Sequence, residues 1–294
     1  MYSASDIVQP VDILKAAKPL IELAIAEDIG PGDVTSQGLL PEDLELHGRI
    51  IAKSAGVIAG LPIAEVVFTC VDSALRFTPR MNDGAQVAPG DLLAEVVGPG
   101  RGMLAAERIA LNFLQHLSGI ATLTRAFVDA VVGTRATILD TRKTHPGYRV
   151  LGKYAVRMGG GQNHRMSLND MLLIKDSHIE AVGSIHAAVE RARTAYPDLF
   201  IEVEVSHLDQ LREALTLDVD RVMLDNMDLD EIRAAVRLTA GRLPLEASGG
   251  VTLERVAAIA DTGVDYISIG ALTHSAPALD LSMLVSRHAT MESK

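Results

Sequence analysis

The sequence predicts an α/β protein, an incomplete parallel β/α barrel with a smaller N-terminal α/β domain, on three observations. From Met103 onward, long amphipathic segments alternate with short apolar runs, the pattern of parallel β-α units. Charged or small polar residues close nearly every one of those runs: Asp140, Lys175, Glu204, Asp225, Ser248 and Gly270. Six such ends meet at one mouth if the sheet curls into a barrel, whereas an open sheet spreads them along a line. Before Gly102 the rhythm is shorter and punctuated by Asn82-Asp83-Gly84 and Pro89-Gly90, the turn chemistry of a mostly β region.

Taken in order, DILKAAKPLIELAIAEDIG carries apolar residues at helical spacing and stops at Gly30-Pro31-Gly32. The pieces HGRIIAKSAGVIAG, ALRFTP and NDGAQVAPGDLLAEVVG read as strands and turns, and MLAAERIALNFLQHLSGIATLTRAFVDAVVG as a long helix. The barrel strands are ATILDT, MLLIK, FIEVEV, DRVMLD, LPLEAS and DYISIG. Between the later ones lie the helical segments SIHAAVERARTAY, HLDQLREALTL, LDEIRAAVRLTA and TLERVAAIADTG. Six strands fall short of eight, so closure is expected to be incomplete. The division is placed with residues 1–115 as the N-terminal α/β domain and residues 116–294 as the barrel domain, a C-terminal helix packing back on the first.

The chain has 294 residues, with 27 Lys+Arg against 38 Asp+Glu and a net charge of −11. That balance argues against a general nucleic-acid or anionic-membrane binder, both of which need a basic field. The single Cys70 forms no bridge within the chain and suits a reducing cytoplasm. The start, MYSASDIVQPVDIL, has Asp6 and Asp12 where a signal peptide places cations, so no targeting segment is read. The apolar stretch GVIAGLPIAEVVFTCV is interrupted by Pro62 and Glu65 and is too short to cross a bilayer as one helix. A soluble cytoplasmic protein is expected.

The densest chemical signal is residues 140–178, with seven Lys+Arg (Arg142, Lys143, Arg149, Lys153, Arg157, Arg165, Lys175) against three Asp. A local excess of cations in an acidic chain focuses potential on an anionic ligand. Arg149, Lys153 and Arg157 stand at near-helical spacing and read as a solvated helix face. Arg142, Lys143, Arg165 and Lys175, at strand ends or beside the Gly159-Gly160-Gly161 run, read as anion ligands. Arginine offers a planar two-pronged grip on carboxylate or phosphate, and lysine a compact charge. The glycine run presents Asn163, His164 and Arg165, and it lacks the spacing of a dinucleotide or P-loop fingerprint.

Glu204 and Asp225 end consecutive β-α units. Their hard oxygens suit Mg²⁺ held partly through water and phosphate, or else they balance the nearby cations. Glu202 lies on the same strand face as Glu204, and two acids turned into a barrel need a cation or a metal. Ser248-Gly249-Gly250 ahead of a helix, with Gly270 one unit later, suits phosphate binding on the final strands.

These residues also carry a resemblance. EDIGPGDVTS, AERIALNFLQHLSGIAT, DTRKTHPGYR, KYAVRMGGGQNHR, LLIKDSH, EVEV, LDN, EASGG and GVDYISIGALTHS, in this order, make the chain resemble the quinolinate phosphoribosyltransferase family over nearly its whole length. The resemblance implies a homodimer, or a multiple of dimers, whose sites combine both subunits. It also implies a reaction in which quinolinate and phosphoribosyl pyrophosphate, with Mg²⁺, give nicotinate mononucleotide, pyrophosphate and carbon dioxide. On this resemblance Arg142, His164, Arg165 and Lys175 hold the pyridine dicarboxylate, with Arg108 supplied by the neighbouring subunit. Lys143 reaches the sugar pyrophosphate, Glu204 and Asp225 serve metal and ribose, and Ser248, Gly249, Gly250 and Gly270 take the 5′-phosphate. Catalysis falls to Lys143, Lys175, Glu204 and Asp225.

Two residues depart from the family pattern: His145 replaces a small or apolar residue and Ser177 an asparagine. Rival readings are a same-scaffold paralogue acting on another anion, a Schiff-base aldolase using Lys175, and a non-catalytic phosphate-binding module.

Overall fold

The computed structural model describes residues 10–287. These form two compact units: residues 10–123, 145–160 and 275–287 in the first, residues 124–144 and 161–274 in the second.

The first unit opens with α1 (Pro10–Asp28), which ends ahead of Gly30 and Gly32, both at positive φ. Helix α2 (Val34–Leu39) follows, capped by the Asp33 carboxylate, which accepts the N–H groups of Thr35 at 3.0 Å and Ser36 at 3.1 Å. Next come β1 (Glu45–Ala52), β2 (Gly56–Val57), α3 (Leu61–Val71), β3 (Arg76–Pro79), β4 (Gln86–Val87) and β5 (Leu92–Pro99), and then the long helix α4 (Gly100–Ala130). Strands β2 and β4 pair as an antiparallel ribbon. The same unit takes α5 (Arg149–Met158) and β12 (Leu281–Ser286) from later in the chain. Its main sheet is antiparallel in the order β12-β1-β5-β3.

Three sequence readings are corrected here. The stretch Leu61–Val71, within a region expected to be mostly β, is a helix that buries Leu61, Ile63, Ala64, Val67 and Phe68. Its nearly uniform apolarity hides the period. What fixes its start is the Asp83 carboxylate, which accepts the N–H groups of Gly60 at 2.7 Å and Leu61 at 3.0 Å from 23 and 22 residues away in sequence. The C-terminal segment, expected to pack back on the first domain as a helix, does so at residues 281–286 as a strand, in register with β1 from His47↔Ser286 to Ala52↔Leu281. Residues 1–9 and 288–294 lie outside the described residues. Third, α5 is helical as its spacing suggests, but Lys153 is fully buried while Arg149 and Arg157 are half-buried.

Helix α4 meets the C-terminal segment closely. Gln115 donates its side-chain amide to the Leu281 carbonyl at 2.8 Å, and the Leu279 N–H reaches the Gln115 carbonyl at 3.0 Å. Gly119 faces the backbone of Pro277 and Ala278 with no room for a methyl group.

The second unit runs β6 (Thr137–Leu139), β7 (Leu172–Ile174), α6 (Asp176–Val182), α7 (Ile185–Ala195), β8 (Ile201–Val205), α8 (Leu208–Ala214), β9 (Arg221–Asp225), α9 (Leu229–Thr239), β10 (Leu245–Ser248), α10 (Leu253–Ala260), β11 (Tyr266–Ser268) and α11 (Ala271–His274). All six strands predicted for the barrel are present and pair in parallel, in the order β6-β11-β10-β9-β8-β7. Apart from β6 the neighbours are consecutive, and β6, the first strand, pairs with β11, the last. That cyclic order belongs to a barrel, because a doubly wound sheet reverses direction at its middle. Between β6 and β7 the ladder is open. One bridge, Leu139↔Gln162, extends the β6 edge: the Gln162 N–H reaches the Ile138 carbonyl at 2.9 Å and the Asp140 N–H the Gln162 carbonyl at 3.2 Å. Among the described residues no helix is long and apolar enough to cross a membrane.

Gly119→Ala should destabilise the fold, since the new Cβ overlaps a backbone carbonyl rather than a movable side chain. Overpacking of this kind costs about 1–3 kcal/mol, and a lowered thermal midpoint is the expected readout. Wild-type melting would show that the α4 contact yields freely.

Candidate active site

Strand alternation decides what the barrel holds. Successive side chains point to opposite faces, so Glu202 and Glu204 share a face on β8, Arg221, Met223 and Asp225 on β9, and Glu246 and Ser248 on β10. The outer positions, such as Ile201, Val203, Val205, Val222, Leu224, Leu245 and Ala247, are buried and apolar. The inner face therefore carries two levels of polar groups, one near the start of the strands and one at their C-terminal ends.

At the lower level Arg221 lies between two carboxylates. Its Nε is 2.8 Å from Glu202 Oε1, its Nη2 3.0 Å from Glu202 Oε2, and its Nη1 3.4 Å from Glu246 Oε2. The guanidinium also faces the rings of Phe200, 5.5 Å away, and Tyr266, 5.1 Å away. Glu202 and Glu246 are both fully buried. Burial alone would push Glu202 up, but the hydrogen bond with His164 and the Arg221 charge outweigh it and hold the carboxyl below its usual range. Burial and the neighbouring Glu202 charge raise Glu246 well above that range.

His164, Glu202 and Glu246 bring three potential ligand atoms within 4.8 Å of one another. The Arg221 guanidinium already stands among them and supplies the positive charge a metal would bring. Sequence reading noted the cost of turning Glu202 inward; the cation that answers it is Arg221, four residues before Asp225 on the same face of its strand.

The upper level holds the predicted site residues. The Lys175 ammonium pairs with the Glu204 carboxylate, and the lysine side chain remains 41% exposed while that of Glu204 is 11% exposed. The Lys175 N–H is bound by His178 Nδ1 at 2.9 Å at the start of α6. Asp225 accepts the Asn226 side-chain amide at 2.8 Å and lies in register with Ser248. Gly249 and Gly250 both have positive φ, and a Cβ on Gly249 would collide with the Asn226 side chain. Only glycine leaves this turn open for a ligand.

The loop after β6 carries Arg142 and Lys143. The Lys143 N–H is held by Thr141 Oγ1 at 3.0 Å and its carbonyl by the Thr273 hydroxyl at 2.8 Å. This brings the Lys143 side chain beside Gly270 and His274. Arg142 Nε is buried and without a hydrogen-bond partner, an unmet demand for an acceptor. Burial and the adjacent Arg142 charge together press the Arg165 guanidinium below its usual value.

Asp140, fully buried, orders the Asn163–Arg165 turn: it accepts the Asn163 amide at 2.5 Å and the His164 N–H at 2.9 Å. His164 is engaged at both ring nitrogens, Nδ1 accepting the Arg165 N–H at 2.7 Å and Nε2 lying 3.0 Å from Glu202 Oε2.

Arg142, Lys143, His164, Arg165, Lys175, Glu204, Asp225, Ser248, Gly249, Gly250 and Gly270 all belong to the second unit, whereas Arg108 is an exposed residue of α4 in the first. Sequence reasoning missed Arg221 and Glu246, although strand alternation marks both. It also assigned no role to Asn226 or to His274, which only the packing reveals.

Two family models match. Residues 33–118 match "Quinolinate phosphoribosyl transferase, N-terminal domain" and residues 120–284 the corresponding "C-terminal domain". The chain is 45% identical over 270 residues to the probable nicotinate-nucleotide pyrophosphorylase [carboxylating] of Bacillus subtilis (strain 168), covering 92% of this chain and 93% of that one. It is 46% identical over 274 residues to the nicotinate-nucleotide pyrophosphorylase [carboxylating] of Mycobacterium leprae (strain TN), covering 91% and 96%. The crystal structure of NadC from Streptococcus pyogenes superposes with a TM-score of 0.89 at 42% identity, covering 92% of this chain and 96% of the other.

Glu246→Gln carries a pH-dependent expectation. A carboxyl whose folded pKa is raised stabilises fully only below its unfolded pKa, and that contribution is lost as pH rises through the folded value. The amide stays neutral throughout. The variant should therefore gain on wild type as pH rises above about 4.3, by up to about 1.4 kcal/mol per pH unit, and show no such gain in acid. Parallel melting-temperature profiles across pH 4–8 would show instead that Glu246 is ionised in the folded state.

Proposed function

We propose that this chain, which belongs to the quinolinate phosphoribosyl transferase family, converts quinolinate and phosphoribosyl pyrophosphate to nicotinate mononucleotide, pyrophosphate and carbon dioxide, a step of NAD biosynthesis. The observation that carries the reading is the cationic mouth of the barrel, where the buried, unpartnered Nε of Arg142 stands beside Arg165. Two adjacent guanidinium groups repel each other and favour a dianion between them.

In this reading Arg142, Arg165 and Lys175 hold the two carboxylates, with His164 at the base of the same site. Lys143, between Gly270 and the barrel mouth, draws the sugar pyrophosphate, and the Ser248-Gly249-Gly250 turn with Gly270 receives the 5′-phosphate. Glu204 and Asp225 lie at the ends of paired strands β8 and β9 and present hard oxygens, a donor set that fits Mg²⁺ shared with phosphate. When bound, the ion would neutralise the pyrophosphate as it departs.

The ring nitrogen attacks the anomeric carbon while the carbon–oxygen bond to pyrophosphate breaks and its electron pair leaves with the phosphate. Lys143 favours that departure because its charge meets negative charge that grows toward the transition state. The alkylated nitrogen is cationic. It stabilises the electron pair left on the ring when the adjacent carboxylate leaves as carbon dioxide, and a proton then takes its place. Lys175, already paired with Glu204, is a charge carrier here rather than an imine-forming amine.

The reading includes a domain boundary near residue 115, supported by the extents of the two family matches. It includes a homodimer, or a multiple of dimers, to which Arg108 contributes across the interface. A cytoplasmic setting accords with the single cysteine.

A steady-state assay with phosphoribosyl pyrophosphate and Mg²⁺ should give product and carbon dioxide with quinolinate and none with nicotinate, which lacks the second carboxylate. Comparable turnover of nicotinate would overturn the assignment. The shared site has its own test: Arg108→Ala and Lys175→Ala should each be nearly inactive. After full subunit exchange, an equal mixture should recover about one quarter of wild-type sites, because half the dimers are mixed and each has one intact site. Activity that stays at the parental level after proven exchange would return Arg108 to a surface role.

A further inference from the structure

We infer that the buried Glu202–Arg221–Glu246 group is a positioning device for the substrate clamp, acting through the His164 ring to hold Arg165 in place. The inference rests on the reading of Arg165 as a ligand of a substrate carboxylate.

His164 is turned away from solvent, with a side chain only 5% exposed. Its Nδ1 accepts the Arg165 N–H at 2.7 Å, which places the ring proton on Nε2, aimed at Glu202 Oε2 3.0 Å away. The ring thus ties the backbone of Arg165 to a carboxylate inside the barrel. Rotating the ring would present carbon to both partners, leaving the Arg165 N–H without this acceptor and Glu202 with one contact fewer.

Glu202 is itself immobilised. Its Oε2 accepts a hydrogen bond from Arg221 Nη2 at 3.0 Å, and its Oε1 lies 2.8 Å from Arg221 Nε as an ion-pair contact, so both oxygens face the one guanidinium. Arg221 is held in turn by Glu246 at 3.4 Å and by the flanking rings of Phe200 and Tyr266. From the other side, Asp140 accepts the His164 N–H at 2.9 Å. The chain of contacts ends at Arg165, the clamp residue.

That end needs restraint. Arg165 feels the like charge of Arg142, which repels it, and the weaker pull of the Glu202 and Asp170 carboxylates. Arg165 Nη1 reaches the Met171 carbonyl at 3.2 Å, so the guanidinium and the backbone are each tied once. A buried ion pair adds little net stability compared with apolar residues of similar volume. Four such groups buried at the lower level of the barrel therefore call for a role other than stability.

The test replaces charge without opening a cavity. Glu202→Met with Arg221→Met should remain folded, with a thermal midpoint at or near wild type. The KM for quinolinate should rise at least tenfold, while the KM for phosphoribosyl pyrophosphate stays within about twofold. In a His164→Ala background the same pair of substitutions should raise the quinolinate KM no further, because the path is already cut. A folded double variant with wild-type quinolinate KM, or losses that add in the His164→Ala background, would overturn the inference. If the double variant does not fold, Glu202→Gln replaces it: a three- to tenfold rise, again absent in the His164→Ala background, supports the device, and a wild-type KM refutes it. Arg165→Ala separates the two levels of the argument. Unchanged quinolinate KM in Arg165→Ala removes the clamp reading, whereas a large loss there beside a normal double variant removes the positioning role alone.

Discussion

The Arg221 guanidinium, buried between Glu202 and Glu246, is the constraint on which the second unit depends. A charge in such a place is tolerated only with nearly complete compensation. Its neighbours supply that in three forms: the Glu202 carboxyl, held below its usual range, the Glu246 carboxyl, raised above it, and two aromatic faces. The result is a lower barrel level whose groups have little freedom to rearrange. The site lies above it.

Strand register carries that rigidity upward. Glu204 follows Glu202 by two residues, Asp225 follows Arg221 by four, and Ser248 follows Glu246 by two, so each upper residue shares the face of a lower one. Parallel pairing sets Ser248 level with Asp225. A one-residue slip of any of these strands would send its polar side chains outward among the helices and bring apolar ones inward. The same pattern that builds the core thus points the chemistry at the mouth.

The opening between β6 and β7 has a consequence for the site. Gln162 extends the ladder of β6 by one bridge, and the chain then turns at once through Asn163, His164 and Arg165. A seventh full strand there would leave no loop to present those residues. Asp140 completes the turn from the end of β6.

The sequence by itself determined the barrel strands, their parallel order of use and the residues at their ends, because period-two alternation and terminal polar residues are local properties. It also exposed the cationic segment that holds Arg142, Lys143, Arg165 and Lys175. Tertiary structure alone decided the helical state of residues 61–71, where a cap arrives from Asp83, and the strand state of residues 281–286, which is chosen by pairing with β1. It decided the burial of Lys153 at a spacing that suggested solvent. In the barrel, sequence showed that Glu202 needed a cation, but not which one. That partner lies 19 residues away, and the upward shift of Glu246 follows from its burial and from a neighbour 44 residues distant. Electrostatics of buried groups depends on distances in space, and sequence spacing does not encode those until the chain has folded.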